Sequence, residues 1–411
     1  MSGRRLAARA WYESLRPVRQ GGHEVVLLEG GREFFPALIE AIDGARAQVS
    51  LETYIFADDP SARAVAAALA SAARRGVDVR VVVDGFGTPR LGGQVALMLA
   101  AGGVSVETYR PEPRRFVLDR RRLRRLHRKL AVIDGRVVFV GGINLLDDHV
   151  DPNHGELESP RFDFAVRVRG PLAATAQLAV QRLWWELSIV NRPSRLMRRQ
   201  AREQMDLSAS VVGDVTPAGS MEAMLVLRDN LRFRREIENQ YLRAIGRARR
   251  EVLIANAYFF PGRRMRESLK AAAASGVRVR LLLQGRVEYR LQHWASQAMY
   301  DELLRAGIEI VEYRTSFLHA KVAVIDDWAT VGSSNIDPFS LLLAREANVV
   351  VEDAGFAAQL RARIVAAIDE GGAPVALSRH ARRAWPVRLV HGLSYLLLRL
   401  GVAISGAGSD Y

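Results

Sequence analysis

Short apolar runs alternate along this chain with longer stretches whose apolar positions recur at helical spacing, and the whole alternation occurs twice. Arg46–Phe56 (RAQVSLETYIF) is an apolar run, Ser61–Arg75 carries the period of a helix, and Val77–Asp84 (VDVRVVVD) reads as a second strand. In the second half, Arg249–Phe260 (RREVLIANAYFF), a helix over Gly262–Ala274, and Val277–Gln284 (VRVRLLLQ) repeat that order. Leu97–Tyr109 (LMLAAGGVSVETY) is echoed by Leu303–Tyr313 (LLRAGIEIVEY). Strands alternating with helices of about a dozen residues predict βαβ units, parallel sheets covered on both faces, and an internally duplicated α/β chain. Two copies of one unit pack about a pseudo-two-fold axis by the logic of a symmetric dimer, so equivalent segments meet at the interface.

The length of 411 residues suits two or three domains. The pattern divides into a basic N-terminal segment (1–23), a first domain (24–200), a linker (201–219), a second domain (220–372) and an amphipathic C-terminal tail (373–411). The N-terminal segment carries Arg4, Arg5, Arg9, Arg16 and Arg19 but lacks the apolar centre of a secretory signal. Arg192–Gly219 is polar and helix-like before Pro217 and joins the halves. In the tail, Trp385–Ile404 (WPVRLVHGLSYLLLRLGVAI) is interrupted by Arg388, His391 and Arg399, too often to span a bilayer comfortably. Leu389, Leu393, Leu396, Leu397 and Leu400 share one helical face, with Arg388, Tyr395 and Arg399 opposite. That pattern fits a helix lying in a membrane interface, and equally an amphipathic helix docked on the protein. Trp184-Trp185 reads as helix core.

Each half ends in the same pattern, H-x-K-x-x-x-x-D: His127/Lys129/Asp134 and His319/Lys321/Asp326. Asp134-Gly135 stands between apolar runs and predicts a hairpin. In a strand, positions i and i+2 share a face at roughly 7 Å, so His127 and Lys129 project together and can grip one phosphate from two sides. Asp134 lies five residues beyond Lys129, about 16 Å along an extended chain, and by that spacing belongs to the turn. The returning strand brings Gly141, Gly142 and Asn144 alongside His127, where small residues and an amide admit phosphate oxygens to the backbone. The second copy returns Gly332, Ser333, Ser334 and Asn335. Its turn is one residue shorter. A three-residue turn in the first hairpin and a two-residue turn in the second would set Gly141 opposite Lys129 and Gly332 opposite Lys321.

An imidazole attacks a phosphodiester when neutral, and a second, protonated imidazole donates to the departing oxygen before acting as base towards an incoming hydroxyl. Lysines and amides, among them Asn144, Ser334 and Asn335, stabilise charge on the phosphoryl oxygens. Each histidine needs an acid to orient it, and Asp163 (RFDFAV) and Glu346 (AREANV) occupy comparable places after the two motifs. This chemistry requires no metal or other cofactor, and no carboxylate cluster has metal-ligand spacing. A single copy of so short a pattern is ordinarily a surface strand with an incidental histidine; two copies with matching L-H-x-K-x-A-V-I-D cores are not.

Composition sharpens this. No cysteine is present, which removes disulfides and thiolate metal sites. Of 59 basic residues only three are lysine, namely Lys129, Lys270 and Lys321, and two of those stand two residues after a histidine. Arginine is a planar fork and lysine a compact point charge, so lysine kept against such a bias marks a place where that geometry is needed. The net charge of +14 favours polyanionic partners, nucleic acid or an anionic membrane. Arg114–Arg128 (RRFVLDRRRLRRLHR) holds eight arginines in fifteen residues and runs into His127; it reads either as a solvated face or as a contact for anionic headgroups.

The doubled H-x-K-x-x-x-x-D resembles the phospholipase D superfamily over about Glu24–Asp353, and DDWATVGSSNIDPFSLLLAREANVVVED resembles the bacterial cardiolipin synthases, the B type in particular. The resemblance implies two duplicated phospholipase D-like α/β sandwich domains, with mixed sheets flanked by helices. It also implies transfer of a phosphatidyl group to phosphatidylglycerol, from phosphatidylethanolamine or a second phosphatidylglycerol, through a covalent phosphatidyl-histidine. His127 would be the nucleophile and His319 the acid and base, and Asp134 and Asp326 join the catalytic set as members of the pattern. The expected partner is an anionic phospholipid membrane, approached peripherally at the cytoplasmic face of the bacterial inner membrane. Two other readings stand beside it: a hydrolytic phospholipase D or nuclease with the same chemistry, and a non-catalytic membrane-binding module. Nucleic acid suits the arginines, although nucleases of this superfamily supply one motif per chain and dimerise.

Overall fold

The computed structural model describes residues 13–112, 124–191, 199, 216–229, 233–338, 340 and 343–404. The first half runs β1 (Gln20–Glu29), α1 (Gly30–Asp43), β2 (Gln48–Thr53), α2 (Pro60–Arg74), β3 (Asp78–Asp84), α3 (Gly93–Gly102) and β4 (Ser105–Tyr109). Then come the hairpin strands β5 (Lys129–Ile133) and β6 (Val137–Gly141), a ribbon of β7 (Val150–Asp151) and β8 (Gly155–Glu156), β9 (Phe164–Arg169) and α4 (Leu172–Asn191). The second half repeats the plan: β10 (Met221–Arg228), α5 (Glu236–Ile245), β11 (Glu251–Asn256), α6 (Arg263–Ala274), β12 (Arg278–Gln284), α7 (Arg290–Arg305) and β13 (Glu309–Tyr313). Its hairpin is β14 (Lys321–Ile325) and β15 (Trp328–Gly332), followed by β16 (Glu346–Glu352) and α8 (Ala354–Gly371). A short edge strand β17 (Gly372–Pro374) and helices α9 (Leu377–Ala381) and α10 (Trp385–Ile404) complete the described chain.

Local chemistry sets these elements. Asp59 caps α2 by accepting from the Ala62 amide at 2.8 Å, with Pro60 in the first turn where its missing N–H costs nothing. Asp353 caps α8 in the same way through Phe356. In the sheet, the order β4-β3-β2-β5-β6-β9-β1 meets β10-β16-β15-β14-β11-β12-β13, the second sequence of strands reversing the first about the β1–β10 join. β2–β3–β4 and β11–β12–β13 are parallel, as their crossover helices require. The remaining strand pairings are antiparallel; in β5–β6 and β14–β15 the tight hairpin turns can only reverse the chain. The parallel βαβ units expected from the strand–helix alternation are three strands in each half, and the sheet as a whole is mixed, as the resemblance implied.

The hairpin register agrees with the turn-length expectation. Lys129 pairs with Gly141 and Ile133 with Val137 around a three-residue turn; Ile325 pairs with Trp328 and Val322 with Val331 around a two-residue turn, which carries Lys321 to Gly332. Asp134 and Asp326 both adopt φ 52°, a left-handed backbone that Asp tolerates. Each carboxylate then braces the start of the neighbouring strand, β2 or β11: Asp134 accepts from the amides of Arg46, Ala47 and Gln48, and Asp326 from those of Arg249, Arg250 and Glu251.

Apolar packing ties the halves into one body. One buried cluster covers the outer helices of the first half, with Leu38, Val65, Leu69 and Leu99, and a second does so for the other half, with Tyr241, Leu269 and Leu303. The third is shared: Val132, Val140 and Val166 from strands of the first half cluster with Val322, Val331 and Val349 from strands of the second and with side chains of α4 and α8. The boundary drawn at residue 24 falls inside β1, since pairing starts at Gln20, and the one at 372–373 falls inside β17. Residues 1–12, most of the linker (201–215) and Arg114–Leu123 of the arginine run lie outside the described residues. The tail is docked: α10 packs on α7, and its leucine face points outward. Among the described residues no helix is long and apolar enough to cross a membrane.

The bracing acid should act on stability. Burial alone would raise the Asp134 pKa, but the amides of Gln48, Arg46 and Ala47 outweigh it and hold the group below its usual 3.8. Asp134→Asn should cost about 1–3 kcal/mol in urea unfolding at neutral pH. Because the folded-state pKa is depressed, that contribution is complete above the unfolded value and is lost as pH falls through the folded one, so the two proteins should converge in acid.

Candidate active site

Both histidines sit on the extended approach to a hairpin strand, and each approach is held by the opposite half. The His127 and Arg128 amides donate to the Arg345 carbonyl at 3.0 and 2.8 Å, and the Arg345 amide returns a bond to Arg125 at 2.7 Å. The His319 amide donates to the Phe162 carbonyl at 2.8 Å, and the Phe162 amide to Phe317 at 3.0 Å. The residue following each bridge is an acid that reaches the ring just pinned. His127 Nδ1 donates to Glu346, 3.0 Å from Oε1 and 3.2 Å from Oε2; His319 Nδ1 donates to Asp163 Oδ2 at 2.6 Å. The two acids of the sequence analysis are thus beside the histidines, but crossed between halves. With Nδ1–H so engaged, a neutral ring presents its lone pair at Nε2.

The lysines share the face of their histidines, as strand geometry demands. Lys129 Nζ donates to the His127 carbonyl at 2.7 Å, and Lys321 Nζ to the His319 carbonyl. Lys321 is fully buried, with Nζ 4.0 Å from Asp163 Oδ2. Burial pushes Lys129 down to about 7 and Lys321 to about 8, against the raising influence of Glu346 and Asp163. Burial also lowers His127, which Glu346 resists, and lowers His319 well below its ordinary value, where Lys321 and Arg161 add to the effect. Lys321 acts on His127, and Lys129 and His127 act on His319, so the groups of the two halves occupy a single electrostatic site. Burial raises Asp163 to about 6 despite the pull of Lys321. Cations crowded out of water in this way favour an anion among them.

Other expected residues are placed differently. Asp134 and Asp326 sit at the far, turn end of the hairpins and bond backbone amides there, five residues from their lysines along extended strand; the inclusion of these acids among catalytic groups is corrected to a role in folding. Gly142 and Gly332 do not leave open space for phosphate. A Cβ on Gly142 would overlap the Asp163 carboxylate and one on Gly332 the Asn348 amide, so glycine is required for close packing of those side chains. Asn144 Oδ1 accepts from the Ile55 amide at 3.2 Å, and Ser334 Oγ donates to the Asn335 carbonyl at 3.3 Å. Asn335 Nδ2 meets Ser340 Oγ at 3.4 Å, while its Oδ1 is buried without a partner.

Several neighbours have roles that the sequence did not reveal. Ser333 Oγ donates to Glu346, anchoring the acid that holds His127. The Tyr54 ring packs edge-on to His127 at 5.0 Å and beneath Lys129 Nζ at 5.3 Å. Asp84 accepts from the amides of Leu126, Phe86 and Gly87, and Gln284, its counterpart, accepts from Leu318 and Arg286. The signal for this pair was present: VDVRVVVD and VRVRLLLQ both close an apolar strand on one polar residue.

Two equivalent α/β halves, each lending a histidine, a lysine and an acid for the other half's histidine, define a duplicated phospholipase D-like enzyme. The family described as cardiolipin synthase, PLD-like domain, matches residues 38–157 and again 241–366, and the chain belongs to it. It is 39% identical over 341 residues to cardiolipin synthase B of Escherichia coli strain K12, covering 83% of this chain and 79% of that one. It is 30% identical over 344 residues to the major cardiolipin synthase ClsA of Bacillus subtilis, covering 82% and 67%. Among solved structures, phosphatidylserine synthase of Haemophilus influenzae Rd KW20 shares the fold, with a TM-score of 0.63 over 98% of each chain at 14% identity.

The crossed pairing has a direct readout. Glu346 raises the His127 pKa directly, so Glu346→Gln should lower it further and move His319 far less, which nitrogen-15 NMR titration of the imidazoles measures. A response confined to His319 would overturn the pairing.

Proposed function

We infer that the chain is a phosphatidyltransferase that makes cardiolipin, moving a phosphatidyl group onto phosphatidylglycerol through a covalent phosphatidyl-histidine. Membership of the cardiolipin synthase family supports the reaction. The observation that carries the mechanism is the pair of imidazoles, each braced by an acid from the opposite half, beside two buried lysines whose pKa values burial brings down to about 7 and about 8.

His127 Nε2 attacks the donor phosphorus, in phosphatidylglycerol or phosphatidylethanolamine. A P–N bond forms as the bond from phosphorus to the headgroup oxygen breaks, and His319 gives that oxygen its proton. Glycerol or ethanolamine leaves. His319, now neutral, takes the proton of a phosphatidylglycerol hydroxyl, whose oxygen attacks phosphorus and releases His127. The empty site disfavours a proton on His319, and the phosphate charge restores it when substrate enters, with Asp163 stabilising the imidazolium. Glu346 does the same for His127 and keeps its Nε2 aimed. Lys129 and Lys321 turn from their carbonyl partners to the phosphoryl oxygens. Asn144, Ser334 and Asn335 complete that cradle. Turning the Asn335 amide over would put its NH2 where the unpartnered atom now lies, available to phosphate. This chemistry operates at an anionic membrane, peripherally and at the cytoplasmic face of the bacterial inner membrane, to which a net charge of +14 is drawn.

Purified protein incubated with phosphatidylglycerol vesicles, with and without phosphatidylethanolamine, should yield cardiolipin. Phosphatidic acid as the only lipid product, or cleavage of nucleic acid instead, would reject the transferase. His319→Ala should accumulate a phosphatidyl adduct on His127 when the donor carries a good leaving group; an adduct found only on His319, in His127→Ala, would reverse the roles. Lys129→Arg should lose about 100-fold or more in kcat despite its charge, because a planar fork does not fit a site that leaves 5% of the lysine exposed.

The lysines also set a pH dependence. Their ammonium forms grip phosphate, so kcat/KM, which reports the free enzyme, should fall as pH rises through about 7 to 8. In kcat the decline should move to higher pH, since bound phosphate holds those protons.

A further inference from the structure

Helix α10 is inverted relative to an ordinary surface helix. Its polar side faces the protein: His391 and Ser394 are buried with Leu398, and Tyr395 packs on Phe260 at 5.4 Å. This orientation is built, not incidental. Arg383 donates to His391 Nδ1 at 2.7 Å and to the His380 carbonyl at 2.8 Å, while His380 stacks on Tyr300 of α7 and meets the Gln297 carbonyl at 3.1 Å. The apolar side therefore looks away from the protein. Trp385 is 75% exposed, Leu389 52%, Leu393 51%, Leu396 60%, Leu397 58% and Leu400 56%. Leu389, Leu393, Leu396 and Leu400 follow the spacing of one helical row, so the exposure forms a continuous stripe. Scattered exposed leucines are unremarkable in proteins, but a patch of this size marks an interaction surface.

Charge identifies the partner. From Gly371 to Ser409 the sequence holds five arginines (Arg379, Arg382, Arg383, Arg388 and Arg399) and no aspartate or glutamate. Arg388 and Arg399 are exposed along one border of the stripe. A second copy of the chain would bring arginine against arginine. An anionic bilayer offers acyl chains for the leucines and phosphates for the guanidinium groups at matching depths. At the start of α7, the helix against which α10 packs, Tyr289 and Leu291 are also exposed, and Glu288, next to Tyr289, accepts a hydrogen bond from Tyr258 near the active site.

We propose that α10 is a membrane-docking face: it lies flat in the headgroup layer of an anionic bilayer, leucines among the acyl chains, and through α7 holds the Tyr289 segment of the active site against the lipid surface. The proposal deepens the reading of a lipid substrate and rests on it for its biological purpose.

The test uses the full chain in flotation with phosphatidylglycerol-containing vesicles and with phosphatidylcholine vesicles. Wild type should float with the former, and Leu393→Glu/Leu397→Glu should bind at least about tenfold more weakly with an unchanged melting temperature. Turnover of short-chain phosphatidylglycerol dispersed as monomers should be unaffected in that variant, whereas turnover of vesicle lipid should fall by a similar factor. Because the chain has no cysteine, Leu396→Cys accepts a single polarity-sensitive fluorophore, whose emission should shift to the blue on adding the anionic vesicles. Wild-type-like flotation of the double variant, or an unmoved emission, would overturn the docking face. So would sedimentation showing a wild-type dimer that the double variant breaks, since the stripe would then be covered by a second copy. Intact, leucine-dependent flotation without turnover of any lipid would uphold the face and reject the catalytic reading instead.

Discussion

Neither half of this protein can finish its own histidine. The His127 backbone is pinned to Arg345 and its ring to Glu346, while the His319 backbone is pinned to Phe162 and its ring to Asp163. Each brace is a strand end from the other half, delivered by the shared core in which both sheets pack with α4 and α8. An acid can hold an imidazole within hydrogen-bonding distance only if the sheets carrying them are fixed to a few tenths of an ångström. Precision at the site is therefore a property of the interface between the halves, and the core shared there serves chemistry as much as stability.

The electrostatics follow from the same enclosure. Two lysines, two histidines and Arg161 are gathered where water is scarce, against Asp163 and Glu346. Burial brings the lysines down to about 7 and about 8 and holds both imidazoles below their ordinary values. A phosphodiester entering this site meets groups whose protonation is waiting on its charge. Lysine suits that task because its pKa moves readily on burial; arginine would stay charged and would have to be paired permanently.

Much of the architecture was legible in the sequence. The duplicated strand–helix order emerged from periodicity, and the register of both hairpins followed from counting residues between Asp and Gly, because a strand has a period of two and one slipped residue would expose the core. Asp134 was legible as a turn residue from distance alone. The crossing of Asp163 and Glu346 was not, since both acids occupy the same place in their repeats and spacing along the chain cannot say which sheet faces which ring. Nor were the glycines read correctly: Gly142 and Gly332 admit side chains, Asp163 and Asn348, instead of a ligand. For α10 the periodicity identified a leucine face but not its direction. That was decided by His391, which Arg383 holds, and by Tyr395, which packs on Phe260 and against α7.

A chain whose braces act across a two-fold seam behaves as a covalent dimer of unlike protomers. Severed between its halves, it would leave two fragments that each possess an imidazole and an ammonium group yet no complete catalytic unit, and function would return only by complementation. Fusion releases the copies from identity. One now uses aspartate where the other uses glutamate, one turns in three residues and the other in two, and Asp84 on one side answers to Gln284 on the other. Symmetry of position with asymmetry of composition gives two rings of the same kind unlike surroundings.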